Sequence, residues 1–312
     1  YGVSTAYAAK IYRQYGKESI DKVKDNPYRL ADDIWGIGFK TADKIAEKMG
    51  YGKSDPRRCK SGILYTLNEL SNEGHVYAME EQLIKSAIEL LEAEEEPIRT
   101  ALAQMIAAEE VILDGEAIYL PPFYYAECGT ANRLKALLDA SEDQLFGANF
   151  DLQAIEKKTG IAYDEVQIAA IQQSIASKVM VLTGGPGTGK TTTTQAIIAA
   201  LQTAGLRILL AAPTGRAAKR MSEATGMEAK TIHRLLEYNP QDGYKRNDKN
   251  PLEADALIVD ECSMIDIILM NNLMKAIPTT MRLLLVGDID QLPSVGAGNV
   301  LRDTVSYTHL TL

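Results

Sequence analysis

The chain has 312 residues, enough for about two domains with buried cores. Hydrophobic residues make up 46% and charged residues 24%, which is typical of a globular protein and excludes a disordered or low-complexity chain. The net charge of −9 argues against a basic nucleic-acid coat and leaves any DNA contact to local patches and backbone amides. No apolar run reaches the ~18 residues that cross a bilayer, and the N-terminus lacks a signal peptide's apolar centre, so we expect a cytoplasmic protein without membrane contact.

Cysteine and histidine are rare in this sequence, with three of each. Their spacing suits neither a disulfide framework nor a zinc site, so we expect no structural metal. Because the chain starts at Tyr1 rather than at a methionine, we also expect a fragment of a longer protein.

The first 58 residues contain an internal repeat. A shift of 34 positions places Gly2-Val3-Ser4 on Gly36-Ile37-Gly38. Each copy has the pattern of a helix, a glycine turn, a second helix and a glycine stop. The same period suits tetratricopeptide repeats, but the residues after Gly50 supply no third copy. We therefore predict a paired unit over residues 1–58.

Residues 59–122 have a different rhythm of apolar residues. The predicted elements are an amphipathic helix through Ile63 and Leu70, an extended piece at His75 to Met79, helices near Glu81 to Leu91 and Pro97 to Glu109, and two apolar runs on either side of Asp114-Gly115. Asp-Gly between apolar runs predicts a β-hairpin. Helices followed by a hairpin indicate a small winged-helix-like domain.

The C-terminal half begins with a mostly helical connector at residues 123–160. Beyond it, residues 161–303 alternate helical patterns with apolar, strand-like runs. These runs are Val179 to Thr183, Arg207 to Pro213, Ala256 to Asp260 and Arg282 to Gly287. Such alternation is typical of an α/β protein with a parallel sheet.

One glycine-rich motif lies between the first of these runs and a helical segment. It reads Gly184-Gly185-Pro186-Gly187-Thr188-Gly189-Lys190-Thr191 and is followed by Thr192. It matches the P-loop pattern Gly-x4-Gly-Lys-Ser/Thr, in which glycines let backbone amides face phosphate oxygens. Lys190 is expected to bridge the β- and γ-phosphates of ATP, and Thr191 to hold Mg²⁺. The alternative, a chance glycine-rich turn, arises on the order of one time in a hundred in a chain of this length.

Two carboxylates end the third strand-like run, about seventy residues after the P-loop. Asp260 is expected to reach the Mg²⁺ shell, and Glu261 to orient and deprotonate the attacking water. Gln291 follows the next strand, where its amide can sense the γ-phosphate, and Gln167 precedes the P-loop strand, where its amide can hydrogen-bond adenine. The alternatives are a surface acidic pair and two solvated glutamines.

The complete set of motifs resembles a known family. The motifs are Asp164-Glu165-x-Gln167, Gly184 to Thr191, Ala212 to Ala218, Thr231 to Leu235, Asp260-Glu261 and Gly287 to Pro293. In this order they resemble superfamily 1 DNA helicases, and most closely the RecD-like helicases, the exodeoxyribonuclease V alpha-subunit family. Asn26 to Leu30 and Trp35 to Ala46 resemble the helix-hairpin-helix region of the subgroup with a long N-terminal extension. The resemblance covers about residues 1–303.

The resemblance implies the fold of each part of the chain. Residues 161–303 would be the first RecA-like motor domain, an α/β P-loop domain with a parallel sheet. All-α helix-hairpin-helix and winged-helix-like domains would precede it at residues 1–58 and 59–122. Residues 238–252 lie where the family carries a strand-separating pin hairpin, with a disordered connector as the alternative.

The resemblance also implies ATP-dependent translocation along single-stranded DNA in the 5′ to 3′ direction, in DNA repair or recombination. Single strands and junctions between single- and double-stranded DNA are the expected partners, and protein partners are left open. The alternative function is a nucleotide-dependent DNA-binding adaptor or another P-loop ATPase without helicase activity. DNA-stimulated ATPase activity with directional unwinding separates the two.

DNA contacts are implied at two places. Pro213, Thr214 and Arg216 would lie along the strand, with an exposed helix face as the alternative for Arg216, Lys219 and Arg220. For His233, a DNA contact and a buried core position are open alternatives. In the N-terminal region, the amides of Gly36 and Gly38 at a helix N-terminus, with Lys40, would hold a DNA phosphate. The alternative there is partner contact or packing, and Trp35 and Ile37 are expected in the core.

The sequence departs from the family at its C-terminal end. The family pattern ends near residue 303, residues 304–312 resemble nothing expected next, and the second RecA-like domain does not follow. That second domain supplies an arginine to the transferring phosphoryl group. We therefore expect this polypeptide to bind nucleotide better than it hydrolyses it.

Overall fold

The computed structural model describes residues 3–140, 151–291 and 293–305. The chain divides into two compact units, Tyr1–Tyr124 and Tyr125–Leu312.

The first unit starts with short helices. They are α1 (Thr5–Tyr15), α2 (Ser19–Asp25), α3 (Arg29–Asp33) and α4 (Phe39–Lys48). The side chain of Ser4 caps α1 by accepting a hydrogen bond from the Tyr7 amide, whereas α4 starts after Gly38 without a side-chain cap. Helices α1 and α4 start 34 positions apart, which is the period of the sequence repeat.

The turn between α3 and α4 corrects one prediction. Ile37 is buried as expected, with 2% of its surface exposed, but Trp35 is 94% exposed rather than in the core. The reason is the turn itself: Ile34 and Ile37 face the core, and the residues between them face solvent. Lys10 covers part of Trp35, with Nζ 5.8 Å from the ring centre and donating to the Trp35 carbonyl oxygen.

The rest of the first unit combines helices with a small antiparallel sheet. The elements are α5 (Pro56–Asn72), β1 (Tyr77–Met79), α6 (Glu80–Leu91), α7 (Glu95–Ala107), β2 (Ile112–Asp114) and β3 (Ala117–Tyr119). Within residues 3–124 the sheet has the strand order β1-β3-β2, and the predicted Asp114-Gly115 turn joins β2 to β3. This order of helices and strands is the predicted one, and the winged-helix-like assignment of residues 59–122 stays a prediction. A Cβ on Gly62 would lie 2.7 Å from Leu91, so glycine permits the close approach of α5 to α6.

Buried residues on both sides of position 58 belong to one hydrophobic cluster, which extends from Ile11 to Ile118. The predicted boundary at residue 58 falls inside α5, and the division of this region into two domains stays a prediction.

A polar network ties α4 to α5 within this cluster. Arg58 donates through Nε and Nη2 to the two oxygens of Asp43, at 2.8 and 2.9 Å. The Tyr28 hydroxyl donates to Asp43 at 2.8 Å, and Arg58 Nη1 donates to the Leu91 carbonyl at 2.7 Å. Burial is the main reason that the pKa of Tyr28 lies well above its usual range. The geometry is the bidentate one that makes arginine–carboxylate pairs strong.

Helix α8 (Pro121–Asp139) starts two residues before the predicted connector, with prolines in its first turn. The helices α9 (Leu152–Thr159) and α10 (Glu165–Ala176) follow. Residues 141–150 of the predicted connector lie outside the described residues.

The second unit is built on a parallel sheet. Its strands are β4 (Val179–Thr183), β5 (Ile208–Ala212), β6 (Ala229–Thr231), β9 (Ala256–Val259) and β10 (Arg282–Gly287), and its larger helices are α11 (Lys190–Thr203), α12 (Gly215–Thr225) and α14 (Ile267–Ala276). In the described part of the chain the strand order is β4-β10-β9-β5-β6, with every pair parallel. The four predicted strands are all present, and the α/β fold class is confirmed. β4 and β9 are buried along their whole length, as is typical of strands in parallel sheets.

The segment between α12 and β9 contains the predicted hairpin. After the short helix α13 (Ile232–Leu235), β7 (Tyr238–Asn239) pairs with β8 (Gly243–Tyr244). Gly243 has a φ of +74°, which favours glycine in this turn. Rings of His233, Tyr238 and Tyr244 contact one another at the foot of the hairpin, with centres 4.8 to 5.8 Å apart. A pin function for residues 238–252 stays a prediction.

Helix α15 (Val300–Val305) is the last element, and residues 306–312 of the predicted non-family tail lie outside the described residues. Among the residues that the structure describes, no helix is both long and apolar enough to cross a membrane. The cysteines are free thiols: Cys59 and Cys262 are buried, and Cys128 on α8 is partly exposed.

Candidate nucleotide-binding site

A cleft of about 190 Å³ lies at the carboxyl end of the parallel sheet. Because β4, β9 and β10 run in the same direction, the loops that follow them meet at this edge. The predicted residues among its lining are Lys190, Thr191, Asp260, Glu261 and Gln291. The sequence motifs, separated by up to about a hundred residues, therefore meet in one cleft.

The glycine-rich loop after β4 has the backbone geometry that requires glycine. Gly187 and Gly189 have φ values of +79° and +83°, in the left-handed region. Gly189 directly precedes α11, and its carbonyl accepts from the Thr193 amide at 2.8 Å. The loop thus presents the start of a 14-residue helix to the cleft, where unpaired amides attract anions.

Lys190 is the first residue of α11, and its side chain is half-buried. Its Nζ donates to the carbonyl oxygens of Gly184 and Gly185, the latter at 2.7 Å. The ammonium is therefore held over the loop whose amides would face phosphate. A compact cation in this place can neutralise phosphate oxygens.

Asp260 lies at the end of β9, and burial is the main reason that its pKa is raised above the usual range of a carboxyl group. Its Oδ1 accepts a hydrogen bond from the Glu261 amide at 2.8 Å. Thr191 and Asp260 both line the cleft, and hydroxyl and carboxylate oxygens are the ligands that Mg²⁺ prefers. A cation here would offset the cost of the buried negative charge, so the residues fit Mg²⁺.

Glu261 has an unusual backbone and an unforeseen partner. Its φ and ψ are 56° and 39°, a left-handed conformation that costs about 1 kcal/mol or more for a residue with a side chain. Its Oε1 accepts from Arg220 Nη2 of α12 at 2.6 Å. For Arg220, an exposed helix face was the alternative to a DNA contact, and no contact with Glu261 was expected. The side chain of Arg220 is indeed 62% exposed, but it pairs with the predicted catalytic base.

Gln291 lies at the mouth of the same cleft, after β10. The Ser263 hydroxyl donates to its Oε1 at 3.3 Å, and its backbone amide donates to the Asp288 carbonyl at 3.3 Å. Asp288 is buried and its carboxylate accepts from the Asp290 amide at 3.0 Å. These contacts fix the turn that carries Gln291.

Gln167 has a structural contact that its predicted adenine role did not include. It forms a capping box with Asp164: the Gln167 amide donates to Asp164 Oδ1 at 2.8 Å, and Gln167 Oε1 accepts from the Asp164 amide at 3.2 Å. The spacing Asp-x-x-Gln was the signal for this cap. Gln167 Nε2 also lies 2.5 Å from the position of a Cβ on Gly189, so the amide group borders the P-loop.

The predicted DNA-binding residues divide between the two units. In the second unit, Pro213 follows β5, Thr214 caps α12 by accepting from the Ala217 amide at 3.2 Å, and Arg216 is exposed. His233 is exposed and contacts tyrosine rings, so it is not the buried core histidine of the alternative.

In the first unit, Gly36 and Gly38 are exposed on the turn before α4. Gly36 has a φ of +86°, and Gly38 is the N-terminal cap residue of α4. Lys40 is exposed, with Nζ 5.9 Å from the centre of the Tyr65 ring.

Comparison with protein families gives two matches in the predicted order. The family described as the ATP-dependent RecD2 DNA helicase HHH domain matches residues 1–77, and the family described as an AAA domain matches residues 167–297. The first covers the helix-hairpin-helix region, and the second covers the sheet and the cleft.

Similar proteins point to the same family. The ATP-dependent RecD2 DNA helicase of Deinococcus radiodurans is 36% identical over 95% of this chain and 43% of its own length. The RecBCD enzyme subunit RecD of Mycolicibacterium smegmatis is 37% identical over 62% of this chain and 38% of its own length. The chain thus spans less than half of these relatives. The solved structure of the Pif1 helicase from Candida albicans aligns with 49% of this chain and over 39% of its own length, at 24% sequence identity and with a TM-score of 0.35.

The order of the motifs, the two family matches and the alignment over 95% of this chain together support the assignment of the chain to the RecD-like helicases of superfamily 1.

Proposed function

We propose that the protein to which this chain belongs is an ATP-dependent DNA helicase that moves along single-stranded DNA in the 5′ to 3′ direction and acts in repair or recombination. The observation that carries this proposal is the meeting of Lys190, Thr191, Asp260, Glu261 and Gln291 in one cleft. Lysine, hydroxyl, paired carboxylates and a neutral amide are the groups that phosphoryl transfer from ATP to water requires.

In this proposal, Gly184 to Thr192 bind the ATP phosphates, and Lys190 exchanges two loop carbonyls for phosphate oxygens. Thr191 and Asp260 would hold Mg²⁺, which neutralises charge on the phosphates. Glu261 accepts a proton from the attacking water. Gln291 responds to the γ-phosphate through its amide, and Gln167, beside the P-loop, binds adenine.

The proposed DNA path in the second unit follows Pro213, Thr214 and Arg216 at the start of α12, with His233 nearby in the chain. Short polar groups, amides and exposed cations hold phosphates without reading sequence. The hairpin of β7 and β8 would separate strands at a junction. In the first unit, Gly36, Gly38 and Lys40 would hold a further phosphate at the start of α4.

The test uses the full-length protein with partial duplexes that carry either a 5′ or a 3′ single-stranded tail. We expect ATPase activity that rises with oligo-dT, and unwinding only of the duplex with the 5′ tail. Lys190→Ala should abolish ATP turnover. Glu261→Gln should still bind ATP, but its hydrolysis rate should fall by ~10²-fold or more.

DNA-stimulated ATPase activity without unwinding would instead favour a nucleotide-dependent adaptor. Normal hydrolysis by Lys190→Ala would contradict the assignment of the cleft.

A further inference from the structure

The ion pair between Arg220 and Glu261 lies inside the candidate ATPase site, although the two residues belong to different elements. Arg220 is in the second turn of α12, and Glu261 follows β9. Their atoms Nη2 and Oε1 are 2.6 Å apart, and both residues line the cleft. Neither the P-loop pattern nor the paired carboxylates require this arginine.

The pair constrains the group that would accept the proton. A carboxylate acts as a general base through an oxygen that faces the attacking water, and one oxygen of Glu261 is engaged by a guanidinium. The backbone of Glu261 is held at φ 56°, with its amide bonded to Asp260. Movement of the side chain is therefore the way in which this carboxylate can change its direction.

The surroundings of Arg220 allow it to change partner. Its side chain is 62% exposed, and exposed ion pairs are weak. Arg216 lies one turn earlier on the same helix face, and α12 begins at Gly215, directly after its cap residue Thr214 in the proposed DNA path. The neighbouring Lys219 points to another partner, Glu223, at 3.8 Å. Phosphates of a strand bound at the start of α12 would thus compete with Glu261 for Arg220.

We propose that Arg220 is a positioning residue that holds Glu261 away from its working direction, and that the phosphates of bound single-stranded DNA draw Arg220 away and release the base. This inference rests on the proposed function, because it assumes ATP hydrolysis at this cleft. It adds the physical link by which strand binding raises the hydrolysis rate.

The test compares Arg220→Ala, Arg220→Lys and the matched control Lys219→Ala in the full-length protein. ATPase kcat and KM are measured without DNA and with saturating oligo-dT. Arg220→Ala should raise the DNA-free kcat about two- to fivefold, the factor that an exposed ion pair supplies, with KM for ATP within twofold of wild type. The rate with DNA should stay the same, so that the stimulation by DNA falls by that factor. Arg220→Lys should lie between Arg220→Ala and wild type, and Lys219→Ala should match wild type.

A second comparison shows whether the effect passes through the base. In a Glu261→Gln background, Arg220→Ala should not raise the DNA-free kcat, because there is no carboxylate to release. A rise in that background would overturn the inference.

Other outcomes are equally decisive. A DNA-free kcat equal to wild type, or a fall of kcat with and without DNA, would show that Arg220 does not restrain Glu261. A large rise of KM would make Arg220 a nucleotide ligand instead. If Lys190→Ala hydrolyses ATP normally, the proposed function fails. If Lys190→Ala is inactive and Arg220→Ala equals wild type, only this inference fails.

Discussion

The left-handed backbone of Glu261 leads to a stability prediction that concerns the candidate catalytic residue itself. We compare Glu261→Gly with Glu261→Ala. Both variants lose the carboxylate and the ion pair with Arg220, so these losses cancel in the comparison. What differs is the cost of a Cβ at a φ of 56°.

The expected magnitude follows from two opposing effects. A residue with a side chain loses about 1–2 kcal/mol in the left-handed region, whereas glycine avoids this cost. Glycine loses about 0.4–1 kcal/mol through the greater freedom of the unfolded chain. The glycine variant should therefore be more stable than the alanine variant by about 1 kcal/mol. For a unit of this size, that difference shifts the unfolding midpoint by about 2–4 °C.

Scanning calorimetry without nucleotide measures the midpoint of the second unit, and an ATPase assay with oligo-dT measures function. Glu237 provides a matched control, because it also has a positive φ, of 53°, and also pairs with an arginine, Arg246. Glu237→Gly should exceed Glu237→Ala in stability by a similar amount and keep hydrolysis. Both Glu261 variants should lose it.

An alanine variant of Glu261 that is as stable as the glycine variant, or more stable, would refute the strain at this position. Retained hydrolysis in both variants would refute the role of Glu261 as the base.

Three further predictions concern other parts of the chain. Asp43→Ala leaves the charge of Arg58 without its bidentate partner, so denaturant titration should show the first unit destabilised by about 3 kcal/mol. Because burial raises the pKa of Asp260, the folded state holds that proton more tightly than the unfolded chain, and ionisation lowers stability as the pH rises above about 4. Without nucleotide and Mg²⁺, the thermal midpoint of Asp260→Asn should therefore rise relative to that of the wild type between pH 4 and pH 8. A difference in midpoint that stays constant with pH would contradict this. A Cβ at Gly38 meets open space, so Gly38→Ala should leave DNA affinity unchanged. Gly38→Glu should weaken DNA binding and reduce the slope of log affinity against log salt concentration by about one unit. Equal affinities of Gly38→Glu and wild type in anisotropy titrations would favour partner contact at this turn.

The strands that position the site could be predicted because each is an uninterrupted apolar run. β4 and β9 are buried on both faces, and burial on both faces selects residues such as valine, leucine and isoleucine. β6 could not be predicted, because its sequence Ala229-Lys230-Thr231 is short and half-exposed at the edge of the described sheet. The strand order, with β10 between β4 and β9, depends on long-range pairing that no local pattern encodes.

The site shows the same division between local and long-range information. The sequence places Lys190 after the loop that follows β4 and Asp260 and Glu261 at the end of β9, and parallel strands bring the segments at their carboxyl ends together. Arg220 was missed because its contact with Glu261 spans 41 positions and depends on how α12 packs against β5 and β6. Trp35 was placed wrongly because its hydrophobicity predicts burial, whereas its position in the turn decides its exposure.

The three thiols differ in exposure, which makes the edge of the candidate site accessible to chemical probing. Cys128 on α8 is partly exposed, whereas Cys59 and Cys262 are buried, and burial raises the pKa of both buried thiols. A maleimide dye therefore reaches Cys128 first, without any cysteine being removed. Cys262 directly follows Glu261, and its Sγ donates to the Val259 carbonyl at 3.1 Å. The rate of its alkylation therefore measures local opening of the structure beside the candidate catalytic carboxylates, and we expect ATP or DNA that stabilises this edge to lower that rate.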